Sequence, residues 1–281
     1  MNQPDLAAYG PWAVVVGGSE GVGAQFAEQL AAAGVDLVLI ARKEGPLEDT
    51  AQRCRDLGRE VRTVSADLTV PADLDRVMRA TDPLDVGLLV CNAGANSYGS
   101  DFVDGDLAEF MKVLTLNVAV PMALAHHYGA RMKKRGSGGV VTIGSLSGYL
   151  GSSQHTVYGG AKAFVRIFSE GLWLELRDAG VDVLHLVLGV TDTPAMRRAG
   201  LDFDLPGLVV GRPDEVAAEG LAHLAEGPVH VVSGNERGAA VGAKTDRARA
   251  VLGHHRLMSE LMKRPADGGR ASDVNRGSDD A

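Results

Sequence analysis

"WAVVVGGSEGVGAQFAEQLAAAG", residues Trp12 to Gly34, begins as a strand and ends as a helix. Trp12 to Val16 is a short β-branched run, and "GAQFAEQLAAAG" from Gly23 has helical composition. Between them Gly17, Gly21 and Gly23 are spaced G-x-x-x-G-x-G. Glycines at such a corner allow a tight turn and a close pass of backbone to a pyrophosphate, while the helix N-terminus offers N–H groups and a positive dipole end. The motif alone also describes a plain turn; its place between a strand and a helix is what predicts a nucleotide site.

The same alternation repeats along the chain. Strand-like runs begin at Trp12, Val35, Val61, Val86, Gly139, Val181 and Pro228, with helical segments between them such as 107–136 and 162–180. Seven near-continuous apolar strands alternating with helices predict an α/β fold, a doubly wound seven-stranded parallel sheet covered on both faces. One domain over residues 1–234 follows, since no linker divides it. Residues 235–264 read as a C-terminal helical extension with an apolar stripe through Val251, Leu252, Leu257, Leu261 and Met262. Residues 265–281, almost without apolar side chains, read as a disordered tail.

Bulk composition excludes several classes. A net charge of −8 argues against nucleic acid or an anionic membrane as the main partner. No run of 18 apolar residues marks a membrane span, and the N-terminus lacks a secretory pattern. Cys54 and Cys91 form neither a disulfide framework nor a zinc spacing. A cytoplasmic protein is the economical expectation. His126–His127 and His254–His255 are adjacent pairs, which point to different helix faces, so no metal site is expected.

The second strand ends "LIARK", where a site for NAD would carry an acid. Ala41 and Arg42 stand there instead; the Arg42 guanidinium fork suits a 2′-phosphate, with Lys43 and Ser19 in support. NADP is therefore expected over NAD. A solvated charge pair is the plainer alternative, and Glu20 in the glycine loop would oppose a phosphate.

Farther on, "VYGGAK" places Tyr158 and Lys162 four apart, on one helix face, with Gly159 and Gly160 between them. Ser145 lies thirteen residues earlier, at the end of the fifth strand, where open parallel sheets gather ligands. Together "VGGSEGVG", "ADL" at Asp67, "NAG" from Asn92 to Gly94, "LNV" at Asn117, Ser145 and "YGGAK" resemble the short-chain dehydrogenase/reductase family in its compact, one-domain branch, over roughly residues 10–234.

That resemblance implies a single-domain Rossmann fold and an NADP(H)-dependent oxidoreductase interconverting a secondary alcohol and a ketone. Tyr158 would be the acid–base group, its pKa lowered from about 10 by the nearby Lys162 cation. Lys162 would also hold the nicotinamide ribose, Ser145 the substrate oxygen, and Asn117 a water leading from Lys162 to solvent. Gly159 and Gly160 would leave room for the ribose and a partner helix. Asp67 and Leu68 would border the adenine, while Asn92 and Gly94 would support sheet and cofactor. Thr193 in "LGVTDTP" would meet the nicotinamide amide, with an N-cap before Pro194 as the rival reading.

The expected substrate is bulky and apolar, because residues 194–212 read as a lid carrying Met196, Leu201, Phe203 and Leu205. A 3-oxoacyl (carrier-bound) reductase and a non-catalytic NADP-binding sensor are the alternatives; the chain keeps the tyrosine and lysine that such sensors lose. His155, three residues before Tyr158, reads as an ordinary polar loop residue, with the edge of the substrate pocket as the second reading. The family's long helices imply a homodimer or homotetramer, although its glycine-rich finish is missing. Val16 and Leu188 also depart from its usual threonine and proline.

Overall fold

In the computed structural model, which describes residues 5–94, 96–242, 253 and 256, the seven expected strands form one parallel sheet. They are β1 (Trp12–Val16), β2 (Asp36–Ala41), β3 (Val61–Ser65), β4 (Val86–Cys91), β5 (Gly138–Ser145), β6 (Val181–Leu188) and, at the far edge, Val229–Val231. A two-stranded ribbon, β7 (Val190–Thr191) and β8 (Val210–Gly211), precedes that last strand, which is therefore β9. The order across the sheet is β3-β2-β1-β4-β5-β6-β9. Strand order reverses between β1 and β4, so a crevice opens at their C-terminal ends.

Period-two alternation divides the strand side chains between two layers. Ala13, Val15, Leu37, Leu39, Leu88 and Val90 pack beneath α1 (Gly21–Ala32), α2 (Glu44–Asp56) and α8 (Pro213–Ala222). Val14, Val16, Val38, Ile40 and Leu89 face α3 (Pro71–Thr81), α5 (Val120–Arg135) and α6 (Thr156–Leu176). Most of these strand residues are wholly buried, each contributing about 1.5–3 kcal/mol of burial. Both faces are thus covered, as the unbroken apolar runs require.

The long helix expected from residue 107 is not one regular helix. α4 (Leu107–Leu114) and α5 are joined by a π turn, Thr115–Ala119. An α-helical ladder would need residue 121 to donate to the Asn117 carbonyl. Pro121 has no N–H, and the ladder widens there, with the Val120 N–H reaching the Thr115 carbonyl. The helical stretch Leu107–Arg135 contains an 18-residue window apolar enough to cross a membrane by length and composition, against the expectation of no such candidate. Its Phe110, Val113, Val120, Leu124, Tyr128 and Met132 are buried in the fold.

α7 (Pro194–Arg198) leads the segment expected as a lid, whose two ends β7 and β8 pin together. Of the expected 235–264 extension, α9 (Glu236–Gly242) is described; the apolar stripe, His254, His255 and the 265–281 tail lie outside the described residues. α8 and β9 bring Glu219, His223 and His230 together, a grouping with metal-ligating chemistry that the adjacent histidine pairs of the sequence do not include.

Candidate active site

The glycine loop is clamped between its neighbouring strands. Gly17 and Gly18 donate to the Ile40 carbonyl at 2.7 and 3.2 Å, and Asn92 and Ala93 donate to the Val16 carbonyl at 3.0 and 2.7 Å. The Asn92 side chain donates to the Gly17 carbonyl at 2.9 Å, so Asn92 builds the floor rather than reaching outward. Gly17 adopts φ +83°, and a Cβ there would stand 2.8 Å from the Ala93 nitrogen. At Gly23 a Cβ would sit 2.1 Å from the Gly17 carbonyl, which sets how closely α1 approaches the loop. The bare backbone and the first-turn N–H groups of α1, which Glu20 does not cap with its side chain, fit a pyrophosphate.

Arg42 and Lys43 are exposed at the end of β2, near enough to Asp67 for Arg42 to stabilise its charge. The Thr69 hydroxyl is the main cause holding the Asp67 carboxyl below its usual range; it donates at 2.7 Å, and burial works against it. Leu68 is buried in the α3/α5 layer, so only its backbone can border a ligand. Ser19 lies in the loop, its carbonyl held by the Thr50 hydroxyl at 3.1 Å. Glu20 does not stand uncompensated. Arg198 of α7 grips both of its carboxylate oxygens and holds the acid below its usual pKa. Arg198 had no sequence signal, being 178 positions away. A dinucleotide fits this charge distribution.

At the other end of the crevice stand Ser145, Tyr158 and Lys162. Ser145 closes β5, and its hydroxyl accepts from the Ser147 N–H at 3.1 Å, capping the short turn Leu146–Gly148. The first turn of α6 docks on that turn. A Cβ at Gly159 would lie 2.9 Å from the Ser147 carbonyl, while one at Gly160 would meet nothing within 4 Å among the described residues. Gly159 therefore admits the serine turn, and Gly160 lies open on the outer side.

The Lys162 ammonium donates to the Ile143 carbonyl at 2.9 Å and lies 5.5 Å from the centre of the Tyr158 ring. Burial pushes its pKa down to about 8. Burial likewise raises the Tyr158 phenol above its ordinary value, with a Ser145 hydrogen bond pulling the other way. This differs from the lowering expected of the lysine, because desolvation of the phenolate outweighs what surrounds it here. Gly94 is at φ +148°, and a Cβ there would reach 2.5 Å from the Asn117 Oδ1 and 3.4 Å from the Lys162 Nζ. Asn117 is buried on the π turn and donates to the Val113 carbonyl at 3.0 Å.

Other groups were missed in the sequence. His185, buried in β6, bonds the Thr142 hydroxyl at 2.8 Å, which in turn bonds Ser169 at 2.8 Å. Burial first, then the Lys162 and Arg166 charges, hold it down to about 3, so it stays neutral. A histidine inside the apolar run "VDVLHLVLG" was the available signal. His155, which the sequence had named, lies in the loop just before α6, and its ring meets Tyr158 edge-on at 6.3 Å. Thr193 is the N-cap of α7, accepting from the Met196 N–H at 3.2 Å, and its methyl crowds Gly21. The lid residues Met196, Leu201, Phe203 and Leu205 are half-buried, with Arg197 5.4 Å over the Phe203 ring. α9 closes against the serine turn, Gly238 packing on Leu146.

Known proteins agree with this architecture. The family model described as short chain dehydrogenase matches residues 11–202. A 7beta-hydroxysteroid dehydrogenase of Clostridium sardiniense is 30% identical over 77% of this chain and 83% of its own. A very-long-chain 3-oxoacyl-CoA reductase of Neurospora crassa is 34% identical over 67% of this chain and 58% of its own. Among solved structures, a short-chain dehydrogenase from Sphingobium yanoikuyae in complex with NADPH superposes with a TM-score of 0.74 at 32% identity, covering 95% of this chain and all of that one. A parallel sheet reversed at a glycine loop, a buried lysine beside a tyrosine and these likenesses lead to one conclusion: the chain belongs to the short-chain dehydrogenase family, as an NAD(P)-dependent oxidoreductase acting on alcohols and ketones.

Proposed function

We propose that this enzyme prefers NADP(H) and interconverts a secondary alcohol and a ketone on a bulky apolar substrate, with Tyr158 as the acid–base group. The grouping of Ser145, Tyr158 and Lys162 carries the reading. The bound nicotinamide would supply or accept the hydride. Ser145 orients the substrate oxygen and supports its developing charge. Tyr158 hands its proton to that oxygen in reduction and takes it back in oxidation. Lys162 keeps a positive charge beside the phenol and holds the ribose, while Asn117 holds a water on the path from Lys162 to solvent.

The glycine backbone at Gly17, Gly21 and Gly23 holds the pyrophosphate, and Arg42, with Lys43 and Ser19, the 2′-phosphate. Asp67 and the Leu68 backbone border the adenine, Gly94 keeps space beside Lys162, and Thr193 closes on the amide. The half-buried apolar lid supports a bulky substrate. The Neurospora relative lends support to a 3-oxoacyl thioester as the second reading.

A panel of bulky cyclic ketones, small polar ketones and 3-oxoacyl thioesters, followed by NADPH and NADH absorbance, tests this. Highest kcat/KM on bulky ketones with NADPH is expected. Preference for thioesters selects the second reading, preference for small polar ketones overturns the lid argument, and no turnover at all would leave a cofactor-binding sensor.

A further inference from the structure

The α8–β9 corner gathers reactive groups that hydride transfer does not use. Glu219 and His223 stand one helical turn apart at the end of α8, and His230 faces them from β9, the edge strand. Each offers a ligand-type atom, all within 4.8 Å of one another. The two imidazoles are stacked, ring centres 3.9 Å apart and 12° from parallel. Their side chains are only 27% and 24% exposed, and that of Glu219 only 18%.

Two carboxylates set the imidazole protons. Glu226 Oε2 lies 2.6 Å from His223 Nδ1, so the neutral ring keeps its proton there and presents the Nε2 lone pair. Glu219 Oε1 lies 2.6 Å from His230 Nε2 and also accepts from the Ser233 N–H and hydroxyl at 2.8 and 2.9 Å. Glu219 is thereby fixed, and Oε2 takes none of these three bonds.

We propose that Glu219, His223 and His230 bind a Zn²⁺ ion, with Glu226 orienting His223 from the outer shell. Two imidazoles and one carboxylate are a zinc donor set, whereas magnesium and calcium favour oxygen throughout. The cation takes the place of the proton between His230 and Glu219, which moves to His230 Nδ1. Zinc bonds of about 2.0–2.2 Å require the three groups to draw around one centre. Because imidazole lone pairs lie in the ring planes, the stacked rings must also turn out of their parallel arrangement, a side-chain rotation at a partly open corner. Water completes the fourth position. Such an ion would staple the end of α8 to the edge strand, apart from Tyr158 and Lys162.

The test uses the full chain without a polyhistidine tag, stripped by chelator and dialysed against Zn²⁺, with metal per chain measured by elemental analysis. One equivalent should bind in the wild type and in His126→Ala/His127→Ala. His223→Ala and His230→Ala should each lose it, and Glu226→Gln should weaken it about tenfold. Zn²⁺ should raise the Tm of the wild type and leave both alanine variants unmoved. If those variants do not fold, His223→Gln and His230→Gln carry the same comparison. Absence of stoichiometric zinc, or zinc that survives both histidine substitutions, overturns the proposal and leaves a hydrogen-bonded corner only.

Discussion

Lys162 is a buried ammonium whose pKa is brought down to about 8 from 10.5 by desolvation. The unfolded chain therefore holds more protons than the folded one between those values, and stability rises with pH through that window. Below pH 8 the buried charge costs about 3 kcal/mol at most. Lys162→Met should accordingly raise the Tm at pH 7, less the lost bond to Ile143, with the gain fading by pH 10–11; a lower Tm at neutrality would contradict this. The same change should cut alcohol oxidation steeply near neutrality, with partial recovery as rising pH forms the Tyr158 phenolate unaided. Tyr158→Phe should abolish turnover at every pH while cofactor affinity, read by fluorescence, stays within about threefold. Arg42→Ala should weaken NADPH binding at least tenfold and NADH little, if its guanidinium holds a phosphate; equal losses would sink that assignment.

At the scale of elements, the lid and the glycine loop are tied together. Arg198 of α7 neutralises Glu20 next to the expected pyrophosphate. Arg198→Ala should therefore raise the NADPH dissociation constant about three- to tenfold at low salt and less at high salt. Adding Glu20→Gln should restore affinity, since it removes the unpaired charge; no rescue would show that Arg198 acts by shaping the lid alone. The π turn at Thr115–Ala119 illustrates a different limit of legibility. Its cause, Pro121, was in plain view, but apolar periodicity continues across it and predicts one helix. A proline in a helix announces a break in the ladder without saying whether the helix kinks, ends or widens.

Across the whole molecule, α6 turns an apolar face outward. Phe164, Ile167 and Leu174 are 45%, 57% and 63% exposed, and Gly160 and Gly171 lie open beside them. A helix face of this kind suits an isologous pairing with its own copy, in which the same patch meets itself. Light scattering of the full chain at micromolar concentration should give at least a dimer, and Ile167→Glu should shift it towards the monomer. A monomeric wild type would refute the pairing.

The strands, their parallel order and the glycine corner followed from local pattern, because burial on both faces writes itself into each segment as an unbroken β-branched run. The tyrosine–lysine spacing was legible for a similar reason: two residues on one helical turn need no third element to meet. What the sequence could not contain was the environment of those groups. Whether Tyr158 is raised or lowered depends on how much water the packed sheet excludes, and that sum runs over β5, α6 and the serine turn at once. The need for glycine at 159 includes a carbonyl supplied by Ser147, which the spacing of tyrosine and lysine did not reveal. Glu20 found its counter-charge 178 positions away, and His230 met Glu219 only when β9 joined the sheet edge. Pairings between distant segments are set by tertiary packing, since desolvation and Coulomb energies depend on distances that no local period encodes.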